Sequence, residues 1–596
     1  MARTVHVGES IMNREQEEQP GDSVGMGGRD GAGAEGRERA CEPQARADFL
    51  AGDPQIGQGR RRFVLGALTV GGGALLSSVG CREAGKGTPS TEAAGGARSA
   101  ADESASEGAA AAGVQGEGAS VDAGALPDGK RLENFIKHGD NPLTLETRRE
   151  KFGTSVLTAT SLFFVRQNLP LPPPEFVADR DGWTARVEGV NRPGEVRVDE
   201  LKKLGLVTMA TVLQCSGNGR KYYKHDPSGS RWGVGAAGCA MWSGVPLRAV
   251  VEHLGGVRKG ARYLTTTGGE PLPEGVDRDS VVVERSIPLE KALDDCFLAW
   301  EMNGEPIPRS HGGPLRLIVP GYFGCNQIKF VKQLAFTEQQ GTAKIQQTGY
   351  RMRPIGVKGS PDQPPMWQMP LKSFITLPTD RTPVVAGKFR VTGVAFGGAS
   401  AVSKVEVSTD GKRWRRARWV GPDLGKYAWR VFEIELEREP GPVKLYSRAT
   451  NAAGDVQPEL RNENERGYGN NSWRDMGVTV QVCSADDDVC LTPPPEESAD
   501  TPRGPRKPVQ LSEAGQRGRT IFRETAAPPC GTCHTLADAE TMGAVGPNLD
   551  ELARSPQQVK AAVTNGVGAM PPFDKTLSPQ QIDDVARYVF EATRRD

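Results

Sequence analysis

The five residues Cys530-Gly531-Thr532-Cys533-His534 constrain this chain more than any other stretch. Two cysteines with two residues between them, and a histidine directly after the second, form the attachment pattern of a c-type haem. Both thiols add to the porphyrin vinyl groups and the imidazole takes the iron. A redox dithiol or half a zinc site is the alternative, but no partner ligands follow to complete a zinc site. Covalent haem needs a small helical unit around it, and residues 511–596 read as one, an all-α cytochrome c domain. Ser578-Pro579-Gln580-Gln581 is a capping box with proline at the first helical position. Ile582, Val585, Ala586, Val589 and Phe590 then make one apolar stripe. Ser555-Pro556 opens a second helix in the same way. The second iron ligand is expected to be the thioether of Met570, in the proline-bounded loop Gly568-Ala569-Met570-Pro571-Pro572; simple loop packing is its alternative. Met542 competes, but stands too close to the histidine loop. His/Met ligation raises the haem potential and suits electron acceptance.

At 596 residues the chain has room for several more domains. Lys plus Arg and Asp plus Glu each number 74, so nothing in the overall charge points to nucleic acid. Residues 1–59, rich in Gly, Glu, Arg and Asp with no apolar period, read as a disordered leader. Arg60-Arg61-Arg62-Phe63-Val64-Leu65 then precedes a glycine-interrupted apolar run that ends at Val79. Paired arginines ahead of a modest apolar stretch read as a twin-arginine export signal over 60–81, against a basic stretch before a buried helix. Export places the protein in the periplasm. The leader is long for such a signal, which leaves a later start, for example Met26, as an alternative. Ser78-Val79-Gly80-Cys81 resembles a lipoprotein processing site with serine where leucine is usual, so a lipid anchor at Cys81 and a free cysteine both stay open. Residues 82–130 are an Ala/Gly/Ser/Glu tract, expected to be a flexible linker.

Residues 131–363 mix α and β patterns. Leu162-Phe163-Phe164-Val165 reads as a strand, Leu289 to Leu293 as a short helix after Pro288, and Leu315 to Val319 as a buried strand ended by Pro320-Gly321. Residues 364–483 are all-β. Phe389/Val391 and Val405/Val407 alternate at period two, and Asp410-Gly411 marks a hairpin before Trp414, which fits an immunoglobulin-like β-sandwich. Residues 484–510 form a linker, long enough for the haem unit to swing between docked and outward positions. Cys483 and Cys490 flank Asp486-Asp487-Asp488 and can close a small loop in an oxidising compartment.

A second chemical focus lies at Leu213-Gln214-Cys215-Ser216-Gly217-Asn218-Gly219-Arg220. An apolar run delivers one cysteine to a turn of Ser, Gly and Asn, with an arginine five positions on. A thiolate is the soft ligand a transition metal prefers, and a guanidinium favours the thiolate and attracts oxyanions. A structural cysteine before a turn is the competing reading.

In ordered succession, Phe164-Val165-Arg166, Gln214 to Arg220, Trp232 with Gly235-Ala236, Glu301-Met302-Asn303-Gly304, and His311 to Arg316 resemble the sulfite oxidase family of molybdenum enzymes. The resemblance continues through Val319-Pro320-Gly321, Lys329, Gln346-Gln347 to Tyr350, Tyr427-Ala428-Trp429, Asn451 to Gln457 and Arg466-Gly467, and spans roughly residues 132 to 483. It implies an α+β molybdopterin domain over 131–363, with a dimerisation sandwich over 364–483 and hence a homodimer. It implies that Cys215 binds molybdenum, that Arg166, Arg220, Trp232, Tyr350 and Arg466 form the anion pocket, and that His311, Arg316 and Lys329 hold the pterin and its phosphate. Tyr350 would also shuttle a proton. The implied reaction is sulfite to sulfate, with electrons passing singly to the chain's haem c and then to an external cytochrome c or other periplasmic acceptor. Salt-bridging for Arg166, core packing for Trp232 and Tyr350, and a turn cap for His311 are the plainer alternatives. Cys239, Cys296 and Cys325 match no ligand position and read as buried thiols. One departure stands out: the family commonly has histidine two residues after the first arginine, where this chain has Asn168. An amide bonds but does not charge near neutral pH, which bears on anion binding and substrate choice. Rival readings are oxidation of a sulfane group on a carrier protein, a protein methionine sulfoxide reductase, which the sandwich and fused haem oppose, and a tethered electron-transfer protein whose upper domain is inactive.

Overall fold

Period-two apolar alternation builds most of the chain in the computed structural model, which describes residues 126–493 and 509–594 apart from 154, 274, 544, 553, 554, 568 and 569. The leader, the twin-arginine stretch, Cys81, residues 82–125 and residues 494–508 lie outside the described residues. The described chain opens with an antiparallel sheet of β1 (Phe135–Asp140), β2 (Leu143–Thr147) and β3 (Val165–Arg166), in that order. The strand expected over 162–165 is displaced. Thr160–Leu162 is a 3-10 turn, and only Val165–Arg166 pairs, with Leu145 and Thr144. Phe163 and Phe164 are spent on packing instead, edge-on to Trp242, His311 and Trp232.

Two five-stranded sheets follow. In one, Val207–Gln214 pairs along its whole length with Ala237–Pro246, which pairs with Phe297–Met302; Arg316–Ile318 joins the far side of that strand. The other centres on Val331–Thr337, between Thr184–Glu188 and Tyr263–Gly268. The short helix after Pro288 runs over Leu289–Asp294. A four-stranded and a five-stranded sheet then pack as a sandwich over Phe389, Val391, Val405, Val407, Phe432, Leu445 and Val480. The hairpin at Asp410-Gly411 joins Val402–Ser408 to Arg415–Arg416, with Asp410 accepting from the amides of Lys412 and Arg413. Cys483 and Cys490 are bonded to each other.

The sandwich is not a loose appendage. Phe374, Val394, Trp429 and Met476 share one apolar cluster with Phe152, Val212, Cys239 and Phe323 of the preceding domain. Each fully buried side chain of this kind contributes about 1.5–3 kcal/mol. Lys372 Nζ donates to the Asn218 carbonyl at 3.3 Å, so the sandwich also grips the loop that follows Cys215.

The C-terminal unit packs Glu513–Thr520 and Pro556–Asn565 against Pro579–Thr593. Both expected capping boxes form, Ser555 with Gln558 and Ser578 with Gln581. Ile582, Val585, Ala586 and Val589 are buried, whereas Phe590 is half-buried. Tyr588 takes the inward place beside Phe522, because its hydroxyl finds the Asp538 carboxylate at 2.7 Å and so enters the core satisfied.

Candidate active site and haem-attachment site

Cys215 is the first residue past the strand Val207–Gln214, its amide still bonded to the Ala236 carbonyl at 2.9 Å. Asn218 folds the turn back. Its amide donates to the Cys215 carbonyl, its Nδ2 to Gln214 Oε1, and its Oδ1 accepts from the Ala236 amide. Gly219 adopts φ +100°, which only glycine takes without strain. Arg220 wraps behind this turn so closely that a Cβ on Gly217 would lie 2.4 Å from its Nη2. The guanidinium donates to the Arg466 and Ser230 carbonyls and lies 5.4 Å from the ring centre of Tyr468.

The turn delivers the half-buried, free Cys215 to a cavity also lined by Arg166, Asn168, His311, Arg316, Lys329 and Tyr350. Seven of the expected residues therefore meet, from segments far apart in sequence. Arg220, Trp232 and Arg466 are not part of that lining. Trp232 is fully buried between Phe164 and His138. Arg466 lies 5.8 Å from the ring centre of Tyr468, which stacks on Tyr350 at 5.5 Å. Arg220 and Arg466 thus form a cationic layer behind the Tyr350 wall. Glu270, Gln327 and Cys325 are polar or thiol lining residues that went unrecognised in the sequence. Arg285 was missed as well. It lies 5.4 Å from the ring centre of Tyr350 and is fixed by the Ile345 carbonyl and Asn326 Oδ1.

The electrostatics of the cavity are lopsided. Burial, and then repulsion among Lys130, Lys329 and Arg316, hold His311 well below its ordinary range. Burial, and then repulsion from Arg316 and Arg166, depress Lys329, and burial lowers Arg316 to about 9. Glu270 is the carboxyl that opposes them, and burial pushes its own value up to about 7. Arg166 Nη1, His311 Nε2 and Arg316 Nε are buried without a hydrogen-bond partner in the protein. Buried cations are normally paired, because leaving them unpaired costs several kcal/mol. Donors aimed inward with too little negative charge fit an anionic cofactor and a small oxyanion, and the half-buried thiol fits a soft metal. Burial raises Tyr350, so its phenol keeps the proton and acts as a donor.

In the C-terminal unit, Cys530–Cys533 is one helical turn with both thiols free. His534 Nδ1 lies 3.0 Å from the Pro547 carbonyl. A carbonyl only accepts, so Nδ1 carries the proton and Nε2 is left with a lone pair for a metal. Burial lowers His534 and favours that neutral form. Met570 packs on the core of this unit. Met542 points away from it, against Gly139 of β1. The donor set fits a covalently bound haem, with Met570 and not Met542 on the core side.

A soft thiol at a sheet end facing buried cations, beside a helical Cys-x-x-Cys-His unit, defines a molybdopterin oxidoreductase fused to a c-type cytochrome. Comparison with known proteins agrees. The oxidoreductase molybdopterin binding domain matches residues 171–345, the Mo-co oxidoreductase dimerisation domain 363–481, and cytochrome c oxidase, cbb3-type, subunit III 513–589. Sulfite oxidase of Gallus gallus is 30% identical over 352 residues, covering 56% of this chain and 74% of the relative. Mitochondrial sulfite oxidase of Rattus norvegicus is 30% identical over 371 residues, covering 58% of this chain and 65% of the relative. The sulfane dehydrogenase SoxCD from Paracoccus pantotrophus has the same fold, with a TM-score of 0.50 at 24% identity over 62% of this chain and 96% of its own. The chain belongs to the sulfite oxidase family, and its cofactors are molybdenum–molybdopterin and haem c.

Proposed function

We propose that this chain oxidises sulfite with water to sulfate, releasing two protons and two electrons, and passes the electrons one at a time to its own haem and then to an external cytochrome. The observation that carries the reading is the cavity itself, where Cys215 faces buried nitrogens of Arg166, His311 and Arg316 that have no hydrogen-bond partner in the protein. Cys215 would hold the molybdenum, with His311, Arg316 and Lys329 on the pterin and its phosphate. Bound there, the molybdenum–pterin group supplies the oxygen-transfer and two-electron chemistry. The chain's own part is to bind and orient. The free Nη1 of Arg166 offers a charge-assisted bond to the oxyanion. Asn168 adds a neutral bond, and Tyr350 donates its phenolic proton to an oxygen. Arg285, Arg220 and Arg466 keep that phenol in a cationic surround.

The same reading includes export, supported by Arg60-Arg61-Arg62 and by the Cys483–Cys490 disulfide, which suits an oxidising compartment. It includes a homodimer formed through the sandwich, supported by the match to a dimerisation domain.

The test is direct. Purified holoenzyme mixed with sulfite is expected to give the reduced c-type haem spectrum. Cys215→Ala should lose that reduction while keeping its haem. Normal reduction in the variant removes the assignment. Reduction by a sulfane-bearing carrier protein but not by sulfite would move the substrate to the sulfane class.

A further inference from the structure

Covalently linked domains move relative to one another unless their interface is well built. Here the haem unit meets the molybdenum domain through three segments that all follow Cys530–His534 in the chain: Glu540–Met542, Val545 and Pro571. The first contact abuts the end of a sheet. Arg166 on β3, which enters the cavity, is opposite Thr144 on β2, and Thr144 is opposite Gly139 on β1. Past the end of β1, the Asp140 amide donates to the Glu540 carbonyl at 3.3 Å, and Asn141 bridges to Thr541 in parallel. Thr541 Oγ1 then donates to the carbonyl of His534 at 3.0 Å. The contact is close: a Cβ on Gly139 would lie 2.7 Å from Met542 Cγ. At the second contact, Val545 packs against the apolar core of the molybdenum domain, and Lys344 Nζ donates to the Val545 carbonyl at 2.5 Å. Lys344 is separated from Tyr350 only by the wide helical turn Ile345–Gly349. Pro571, next to Met570, lies against Gly275.

We infer that the haem unit is docked in a fixed place against the end of the β1–β2–β3 sheet, held there by the bridge at Asn141 and by Val545, and that electrons cross to the haem without the unit leaving its dock. Gly139 and Val545 are the positioning residues. Three strand-to-strand steps of 4.7–4.9 Å, with two residues along the chain from Gly139 to Asn141, separate the backbone of Arg166 from that of Thr541, roughly 16 Å in all. The path is held by main-chain hydrogen bonds, so the separation is constant from turnover to turnover. Each sulfite gives up two electrons. Ferric haem takes one, passes it to the external one-electron acceptor, and takes the other. The inference rests on the functional reading above for its electron source, but the dock itself does not.

The experiment uses full-length holoenzyme carrying both cofactors, as wild type, Gly139→Val and Val545→Asp. Gly139→Val drives a methyl into Met542, and Val545→Asp sets a carboxylate against apolar core. Two quantities are read: amide hydrogen exchange at Asp140, and the stopped-flow rate of haem reduction by sulfite in buffers of rising viscosity. The dock predicts a protected Asp140 amide and a viscosity-independent rate in the wild type. In at least one variant the amide protection should be lost and the rate fall tenfold or more, with molybdenum content, haem content and reduction by dithionite unchanged. A wild-type Asp140 amide that exchanges like an open loop, a wild-type rate that falls in proportion to viscosity, or wild-type rates in both variants would overturn it. A wild-type haem that sulfite never reduces removes the functional reading instead, and the amide protection alone then decides the dock.

Discussion

Ser216 Oγ donates to Cys325 Sγ at 3.3 Å, and both residues line the cavity that Cys215 enters. Two thiols from distant segments therefore share one wall. They are not equivalent. Cys325 is embedded between Ser216 and the Met366 carbonyl, and burial pushes its thiol up against the opposing pull of Arg285. A metal takes the thiolate, so a thiol held protonated makes a poor ligand.

The expectation is that Cys325→Ala keeps about one molybdenum per chain and loses about 1 kcal/mol of stability, the usual scale for trimming a packed side chain. Cys215→Ala should keep the pterin held by His311, Arg316 and Lys329 and lose haem reduction by sulfite, whereas Cys325→Ala should reduce its haem at close to the wild-type rate. Haem reduction by sulfite in the two variants, measured side by side, decides the assignment. Equal losses would mean that both thiols serve the metal.

Asn168 stands half-buried in the same lining, two residues after Arg166. Its amide cannot change charge, so it adds no pH dependence to anion binding near neutrality. Asn168→His introduces a group with an ordinary pKa of about 6.5. Below that pH an imidazolium joins Arg166, and KM for sulfite should fall about fivefold, equivalent to roughly 1 kcal/mol for a partly solvated charge pair. Above it, variant and wild type should converge. A KM ratio that stays flat from pH 5.5 to 8 would show that this position does not sense the substrate.

The parts legible in the sequence are those whose chemistry is local. Cys530 to His534 announce haem attachment by spacing alone, and Ser555 and Ser578 announce their helices through residues three positions away. The cavity is different. Arg166, Cys215, His311, Lys329 and Tyr350 are joined by sheet topology, and only the order of family motifs pointed to their meeting. Cys325, Glu270 and Arg285 lacked even that. Nothing local separates a cavity thiol such as Cys325 from a core thiol such as Cys239, which is fully buried beneath the sandwich. Phe163 and Phe164 misled in the opposite sense, because two adjacent aromatic residues fit a strand and a core corner equally well.

Lys372 offers a test of how the sandwich holds the Cys215 turn. It is fully buried, and burial followed by the nearby charge of Arg149 lowers it to about 7. The unfolded lysine titrates near 10.4, so between about pH 7 and 10 the unfolded chain binds a proton that the folded chain does not. Stability should therefore rise with pH across that window and level off below about 7, where both states are protonated. Lys372→Met removes this slope. It also removes the bond to the Asn218 carbonyl, worth about 1 kcal/mol. The net expectation at pH 7 is a gain of about 3 kcal/mol, shrinking as pH approaches 10. Thermal midpoints of variant and wild type at pH 6, 7.5 and 9 measure it, and parallel curves would mean that Lys372 keeps its charge in the fold.

Gly546 tests the histidine side of the haem. A Cβ there would lie 2.5 Å from His534 Cε1 and 2.6 Å from Nδ1, so Gly546→Ala must push the imidazole off the Pro547 carbonyl. That bond sets which ring nitrogen faces the iron and how basic it is, and losing such a partner commonly costs tenfold or more in ligand strength. The thioether links at Cys530 and Cys533 are untouched, so haem content should hold. A less basic imidazole disfavours ferric iron more than ferrous, so the midpoint potential should rise, by about 60 mV for a tenfold difference between the two states. Redox titration of the purified variant, with haem content measured on the same sample, separates the two effects. An unchanged potential would show that the Pro547 carbonyl does not tune the iron, and haem loss at equal protein yield would place Gly546 in attachment instead.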